Sequence, residues 1–537
     1  MPDMTPLQKK LADAFAKHQA GDVGAASVLY REVLAEDPNQ PDALHMMGVI
    51  AQQRGNTQLG LELITLALAN KPDMPLAWHN KSLLLRVAGK KAEALEASQK
   101  AVALDPGMAA AFDMSANLLR ELGRLDEAAK HFERVIALDP GNAMSRSNYA
   151  VLLLQKDDLL GAYNVVKESE KLGRDSASFS LGNTLRAMGH TELALPHYLR
   201  VAKLMPDSGE AKLNAAMTHL LLGEFEDAWK LWRGLPDERA ELKHIPRWQG
   251  EKVAHLLLHE EQGLGDALQC VRYIPLIRER AGKITLRLSS MLQRLMRENF
   301  PDIEVLTLED PVPACDARAQ LMQLPALCGT TLETIPAEVP YLHVRKEWRE
   351  IWPARLGTVA SPRIGFVWAG NPNHHNNRNR SLELPQLKPL LDAAAGHGVS
   401  LQKWSRKDEA GLREAGLFDA DPWLGAFTDT AGLMMELDLI VTVDTSVAHL
   451  AGALGRPVWV LIPFDPDWRW MIGREDSPWY PTLKLYRQDA PRDWQGALAR
   501  MAEDLRKFVG GDRGVLAAKK FAGSPLRKNP RAIKLPD

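Results

Sequence analysis

The spacing of the prolines limits what this chain can fold into more than any other feature. Pro38, Pro72, Pro106 and Pro140 follow one another at intervals of 34 residues, and Pro206 comes 66 later, which is 32 plus 34. Gly21, Gly55, Gly89 and Gly123 keep the same step, and Gly189 and Gly223 carry the same two-residue deletion. Two further series are uniformly small: Ala14, Gly48, Ser82, Ala116, Ala150, Gly182, Ala216, and Ala26, Gly60, Ala94, Ala128, Ala162, Ala194, Ala228. They lie on either side of the glycine, so each unit is predicted to be a helix, a glycine turn and a second helix, with small residues letting the two backbones approach. The proline ends the second helix and opens the next unit.

This pattern resembles the tetratricopeptide repeat, in seven copies over about residues 7–235. The resemblance implies an α-solenoid whose concave face binds extended peptides or partner helices. Asn80, Asn148 and Asn214 recur nine residues before the turn, with Asn117 and Asn183 three residues further along the same helix, hence on the same face. An amide offers donors and an acceptor, so such a file can hold peptide backbone; equally, asparagine is tolerated on any polar helix face. Eukaryotic O-GlcNAc transferases carry a similar file, which implies a protein substrate. Here alternate repeats carry it at the first position.

The remaining chain changes period. With 537 residues there is room for three or four domains. Charge narrows the classes further, since Lys and Arg total 66 against 68 Asp and Glu, leaving no global pull toward nucleic acid or anionic membrane. Cys270, Cys315 and Cys328 are too scattered for a metal knuckle and read as reduced core thiols. No run approaches a membrane span and the start lacks an apolar signal core, so the expectation is a soluble, cytoplasmic protein.

From residue 251 short β-rich runs alternate with helical ones. Strands are predicted at 254–258, 283–288, 303–306, 363–369, 439–443 and 457–462, and amphipathic helices at 266–280, 386–396, 430–437 and 446–454. This is the pattern of parallel sheets covered on both faces, with ligands at the carboxyl ends of strands. The expected layout is a solenoid to 235, a linker at 236–250, one α/β domain at 251–345, a connector at 346–362, a second α/β domain at 363–511, and a basic, disordered tail at 512–537.

Two turns stand out. In "HEEQGLGDALQC" Gly263 and Gly265 follow the first strand, yet Leu268 breaks the dinucleotide fingerprint and no lysine makes a P-loop. Asp266 is then either a helix cap or an ionised carboxylate at a helix start, able to act as general base. In "VDTSVAHLAGALGRPVW" Asp444, Thr445 and Ser446 lie between strand and helix, where free N–H groups make a phosphate site. His449 in the first turn is either a core residue or a donor to that phosphate. Arg378 and Arg380, in the polar loop after the 363–369 strand, can reach a diphosphate. His374 and His375 make a weak metal site without a nearby acid or cysteine, and "FDPDW" at 464–468 lies outside the fold context of a metal-binding Asp-x-Asp.

These segments resemble the heptosyltransferase-like glycosyltransferases of the two-domain GT-B type, over about residues 251–510. The family's Gly-Asp, its catalytic base, matches Gly265 and Asp266, and its Asp-Thr-Gly-x-x-His donor segment matches Asp444, Thr445 and His449. Ser446 stands where the family has glycine, and its phosphate-binding lysine has no counterpart unless Arg378 or Arg380 serves. The resemblance implies inverting, metal-independent sugar transfer from a nucleotide-sugar, with no cofactor. The combined layout is similar to bacterial repeat-fused transferases, which implies a protein acceptor such as flagellin held by the repeats. Transfer to lipopolysaccharide or another glycan, and a catalytically silent adaptor, remain open.

Overall fold

A computed structural model describes residues 4–171, 177–236, 239–261, 263–357, 359–374, 376–403 and 409–536. Fourteen helices, Pro6–Gln19 through Phe225–Arg233, pair into seven hairpins. Their starts are capped by short polar side chains: Thr5 and Gln8 form a reciprocal capping box, and Asp22, Gln40, Asn56, Asn142 and Ser208 each accept a backbone N–H of the first turn. The turn glycines all have positive φ, from +76° at Gly123 to +87° at Gly189. In the fifth hairpin Asp157 holds the same left-handed conformation at φ 64°, a position short polar residues can occupy at some cost.

The small residues do what their spacing predicts. A Cβ built on Gly48 would come within 3.1 Å of the Gly60 carbonyl, and one on Gly60 equally close to that of Gly48. Where the pair is Ser82 and Ala94, the serine hydroxyl donates to the Ala94 carbonyl at 2.7 Å.

Contacts divide the chain into two compact units, one running to Thr184 and the other from Leu185 to Leu535. The second unit holds the end of the sixth hairpin, the seventh hairpin and two parallel sheets. Strands β1 (Val253–His259), β2 (Ala281–Leu288), β3 (Glu304–Thr307) and β4 (Ala317–Gln320) form a sheet in the order β3-β2-β1-β4. Strands β5 (Ile364–Val367), β6 (Gly398–Ser400), β7 (Phe418–Asp419), β8 (Leu439–Val443), β9 (Val458–Ile462) and β10 (Leu483–Arg487) follow in the order β10-β9-β8-β5-β6-β7. The fold is thus an α-solenoid followed by doubly wound α/β sheets. Central strands β8 and β9 are buried along their whole length, as parallel strands covered on both faces must be. The first order reverses beside β1 and the second between β5 and β8, and such switch points open a crevice at the strands' carboxyl ends.

The seventh hairpin packs onto the α/β part: Trp229 donates to the Thr330 carbonyl at 2.7 Å and packs edge-on against Trp232 and Trp468. One sequence expectation needs correction here, because the tail is not disordered. Asn529 and Ile533 donate backbone hydrogen bonds to Gly189 and Met188, Phe521 donates to the Asp476 carboxylate, and Leu526 lies against Gly473. Counting charges missed that Phe521, Leu526 and Ile533 find places to dock and backbone groups to pair with.

Candidate functional site

Each switch point is followed by a helix start. After β1 comes the helix Leu264–Cys270, and after β8 the helix Ser446–Ala453. The two starts touch: a Cβ on Gly265 would lie 2.7 Å from His449 Cδ2 and 3.4 Å from Ser446 Cα. Only a residue without a side chain fits there, which explains Gly265 without invoking positive φ. Gly263 is the N-cap of the same helix.

Asp266 is both cap and charged group. Its Oδ2 accepts the Gly263 N–H at 2.9 Å, and its Oδ1 is bonded by Arg469. Each oxygen keeps a second lone pair, and 18% of the side chain remains exposed. Burial raises its pKa above the ordinary carboxylate value, an effect Arg469 opposes and Asp467 reinforces. The result is a stronger base than a surface aspartate.

Arg469 links the parts. It bonds Gln269 through Nε and Asp467 through Nη1 at 2.9 Å, and its guanidinium lies 4.4 Å over Trp468. Asp467, the second acid of "FDPDW", holds this arginine. Among the described residues no cluster of histidines, cysteines and acids could hold a metal. His374 is exposed, and His375 lies outside the described residues.

The Ser446 helix start is built differently. Thr445 occupies the N-cap but makes no capping bond; its hydroxyl instead meets that of Thr442 at 3.1 Å. The first N–H groups of this helix are therefore left without a side-chain acceptor. Arg380 donates to the Asp444 carbonyl at 2.9 Å, and its Nε is buried with no partner. Arg378 is exposed, and Arg380 is half-buried. Asp444 is buried and pushed up to about 6, by burial first and then by Asp467, against the pull of Arg380.

Of the two readings of His449, its surroundings match the core residue. It is 5% exposed, stacks on Trp470 with ring centres 5.5 Å apart, and its Nδ1 lies 2.9 Å from the Tyr480 hydroxyl. Burial, then Arg469, Arg272 and Arg380, hold its pKa well below the ordinary value. A neutral ring packed between aromatics brings no charge to a phosphate; it fixes the Ser446 helix against Gly265. Glu261, unassigned from sequence, also stands close. Burial and then Asp266 push it up to about 8, and its Oε1 is buried without a partner.

The asparagine file is uneven. Asn117 is 6% exposed and bonds Asp113 on its own helix, so it is not presented to a peptide. Asn214 donates to its own helix at Glu210, and Asn80 meets His45 Nε2 at 2.8 Å. Asn148 and Asn183 are half-buried.

Family models for the tetratricopeptide repeat match residues 109–142 and residues 45–109 and 179–235. The chain contains tetratricopeptide repeats. It is 24% identical over 445 residues to Protein FlbA of Caulobacter vibrioides, covering 66% of this chain and 74% of that one. Among solved structures it is similar to MamA from Desulfovibrio magneticus (20% identity, 32% of this chain, 98% of that one, TM-score 0.30). Pseudomonas aeruginosa PilF gives 19% identity over 39% of this chain and 94% of that one, at TM-score 0.35. Among the described residues no helix is long and apolar enough to cross a membrane.

Proposed function

We propose that this chain is a metal-independent, inverting glycosyltransferase that moves a sugar from a nucleotide-sugar to a hydroxyl of a protein. The observation that carries this reading is the meeting of the two helix starts. One brings a carboxylate of raised basicity, and the other brings N–H groups with no side-chain acceptor of their own, beside Arg380. In such a site Asp266 takes the proton of the attacking hydroxyl as the oxygen closes on the sugar's anomeric carbon. The bond from that carbon to the donor diphosphate breaks, and the departing oxygens are stabilised by the Ser446 helix start and Arg380. The bonds from Gly263 and Arg469 orient the carboxylate without using its remaining lone pairs.

Asp266→Asn tests the reading. It keeps the cap and the shape but cannot accept the proton, so turnover of donor and acceptor should fall by about 10²–10⁴. The thermal shift caused by nucleotide should persist. Near-normal transfer by a folded variant would leave Asp266 as a cap and ion-pair partner.

The repeats suggest that the acceptor is a protein, and the sequence resemblance makes flagellin the first to try, ahead of a lipopolysaccharide or other glycan. Removing residues 4–171, rather than cutting at 235, keeps the packed Trp229 hairpin. The shortened chain should still hydrolyse donor but lose protein glycosylation, read by intact mass. A second reading, a silent adaptor, is favoured by the protein contacts already made by both Asp266 oxygens; absence of any donor turnover would select it.

A further inference from the structure

A second polar recess has none of the helix-start residues in its lining. It sits, open to solvent on one side, where β9 and β10 end, beside the sixth hairpin's turn at Gly189 and under the tail at Asn529–Arg531. Three arginines line it, Arg186, Arg487 and Arg531, against one acid, Asp465.

The charges do not cancel. Arg186 is committed to Asp465 through three contacts of 3.1–3.2 Å, and Arg531 shares Asp489 with Arg500. Arg487 has no carboxylate partner among the described residues. Its Nε and Nη2 donate to the carbonyls of Arg474 and Trp470, and among the described residues no acceptor faces Nη1. Burial, with the guanidiniums of Arg474 and Arg531 nearby, pulls its pKa down to about 9. Asp476 and Glu475 act on this guanidinium from a distance, the former already paired with Arg474, and neither forms an ion pair with it.

The neighbouring residue carries a second, independent sign. Gln488 is 2% exposed and its Oε1 accepts from the Phe464 and Arg492 N–H groups, yet its Nε2 is buried with no partner. The two accepted bonds fix the amide's orientation, so Nε2 is a true donor without an acceptor. An orphaned donor and a guanidinium without an ion pair, lining one recess open to solvent, fit an acceptor-only anion.

We propose that this recess binds a phosphate group, held by Arg487, Gln488 Nε2 and Arg531, and that the bound anion pins the tail to the sixth hairpin and the second sheet. The group is either free phosphate or the terminal phosphate of a small metabolite. Because Arg531 belongs to the tail and Arg487 to β10, occupancy couples the two. The site does not depend on the transferase reading.

The test uses the full chain, titrated with inorganic phosphate and with glycerol phosphate, by calorimetry and thermal melting. Saturable binding to at least one is expected, with a Tm rise of about 2–4 °C at saturation. The tighter ligand identifies the source. Arg531→Gln, on the half-exposed tail, should weaken binding by about tenfold or more, as loss of one charge-assisted contact does. Gln488→Glu keeps the Oε1 acceptor and places a carboxylate beside Arg487, so it should abolish binding and raise Tm without added anion. Absence of saturable binding to wild type at tens of millimolar would overturn the proposal. So would unchanged affinities in both folded variants.

Discussion

The repeat array and the paired helix starts hold themselves together by opposite means. In the array every device recurs: a glycine turn, a small-residue contact, a polar cap. Each contributes a little and its loss is felt by one hairpin and its neighbours, because stability in such arrays sums over units and adjacent interfaces. At the helix starts each device occurs once. Arg469 alone joins Asp266, Gln269 and Asp467, and Gly265 alone lets the Ser446 helix approach. A region built by repetition should therefore tolerate single changes that a region built around one buried cation does not.

Removing that cation should give the largest effect. Arg469→Met leaves Asp266 and Asp467 without their guanidinium in a mostly buried setting, and stranding buried charge typically costs about 3–5 kcal/mol. The α/β part should melt far earlier, while circular dichroism of the solenoid helices changes little at moderate temperature. A loss below about 1 kcal/mol would mean that water already solvates both acids and that Arg469 is no keystone.

Asp444 sharpens the contrast at intermediate size. Its pKa rises from 3.8 to about 6 on folding, so the folded chain binds this proton more tightly than the unfolded chain does. The associated stability is fully present below about pH 4 and is lost as pH climbs through about 6. At neutral pH the ionised group thus costs on the order of 1–3 kcal/mol. Asp444→Asn should melt higher than wild type at pH 7.5, and the advantage should vanish near pH 4. An equal difference at both values would show that the carboxyl does not titrate in this window.

How much of this was legible in the sequence follows the same division. The array could be read almost to the residue, because each position was seen up to seven times and the shared deletion in the fifth unit aligned the rest. The strands β1, β2, β5, β8 and β9 announced themselves as apolar runs, and the two turns pointed to Asp266, Asp444 and Ser446. Short strands such as Ala317–Gln320 and Phe418–Asp419 did not, since two to four residues carry no period. Arg469, Glu261 and Arg487 were invisible for another reason. Their roles come from contacts such as Arg469 with Asp266, some 203 residues apart, which no local pattern encodes. The two readings of His449 stayed open for a related cause: its place in a motif was clear, but Trp470 and Tyr480, which pack against it, arrive from elsewhere in the chain.

The smallest prediction tests the array where it departs from its own rule. The six other hairpins use glycine at the turn, but in the fifth Asp157 stands there at φ 64°, with a Cβ in a region that disfavours side chains. Glycine adopts this conformation without that strain, though it gives up more chain entropy on folding. The two effects oppose, and the strain should win by about 0.5 kcal/mol. Asp157→Gly should therefore slow hydrogen exchange modestly in the fifth hairpin and its direct neighbours, and leave the α/β strands unchanged. If protection falls instead, the aspartate side chain is contributing contacts that outweigh the strain, and this turn is a specialised member of the array.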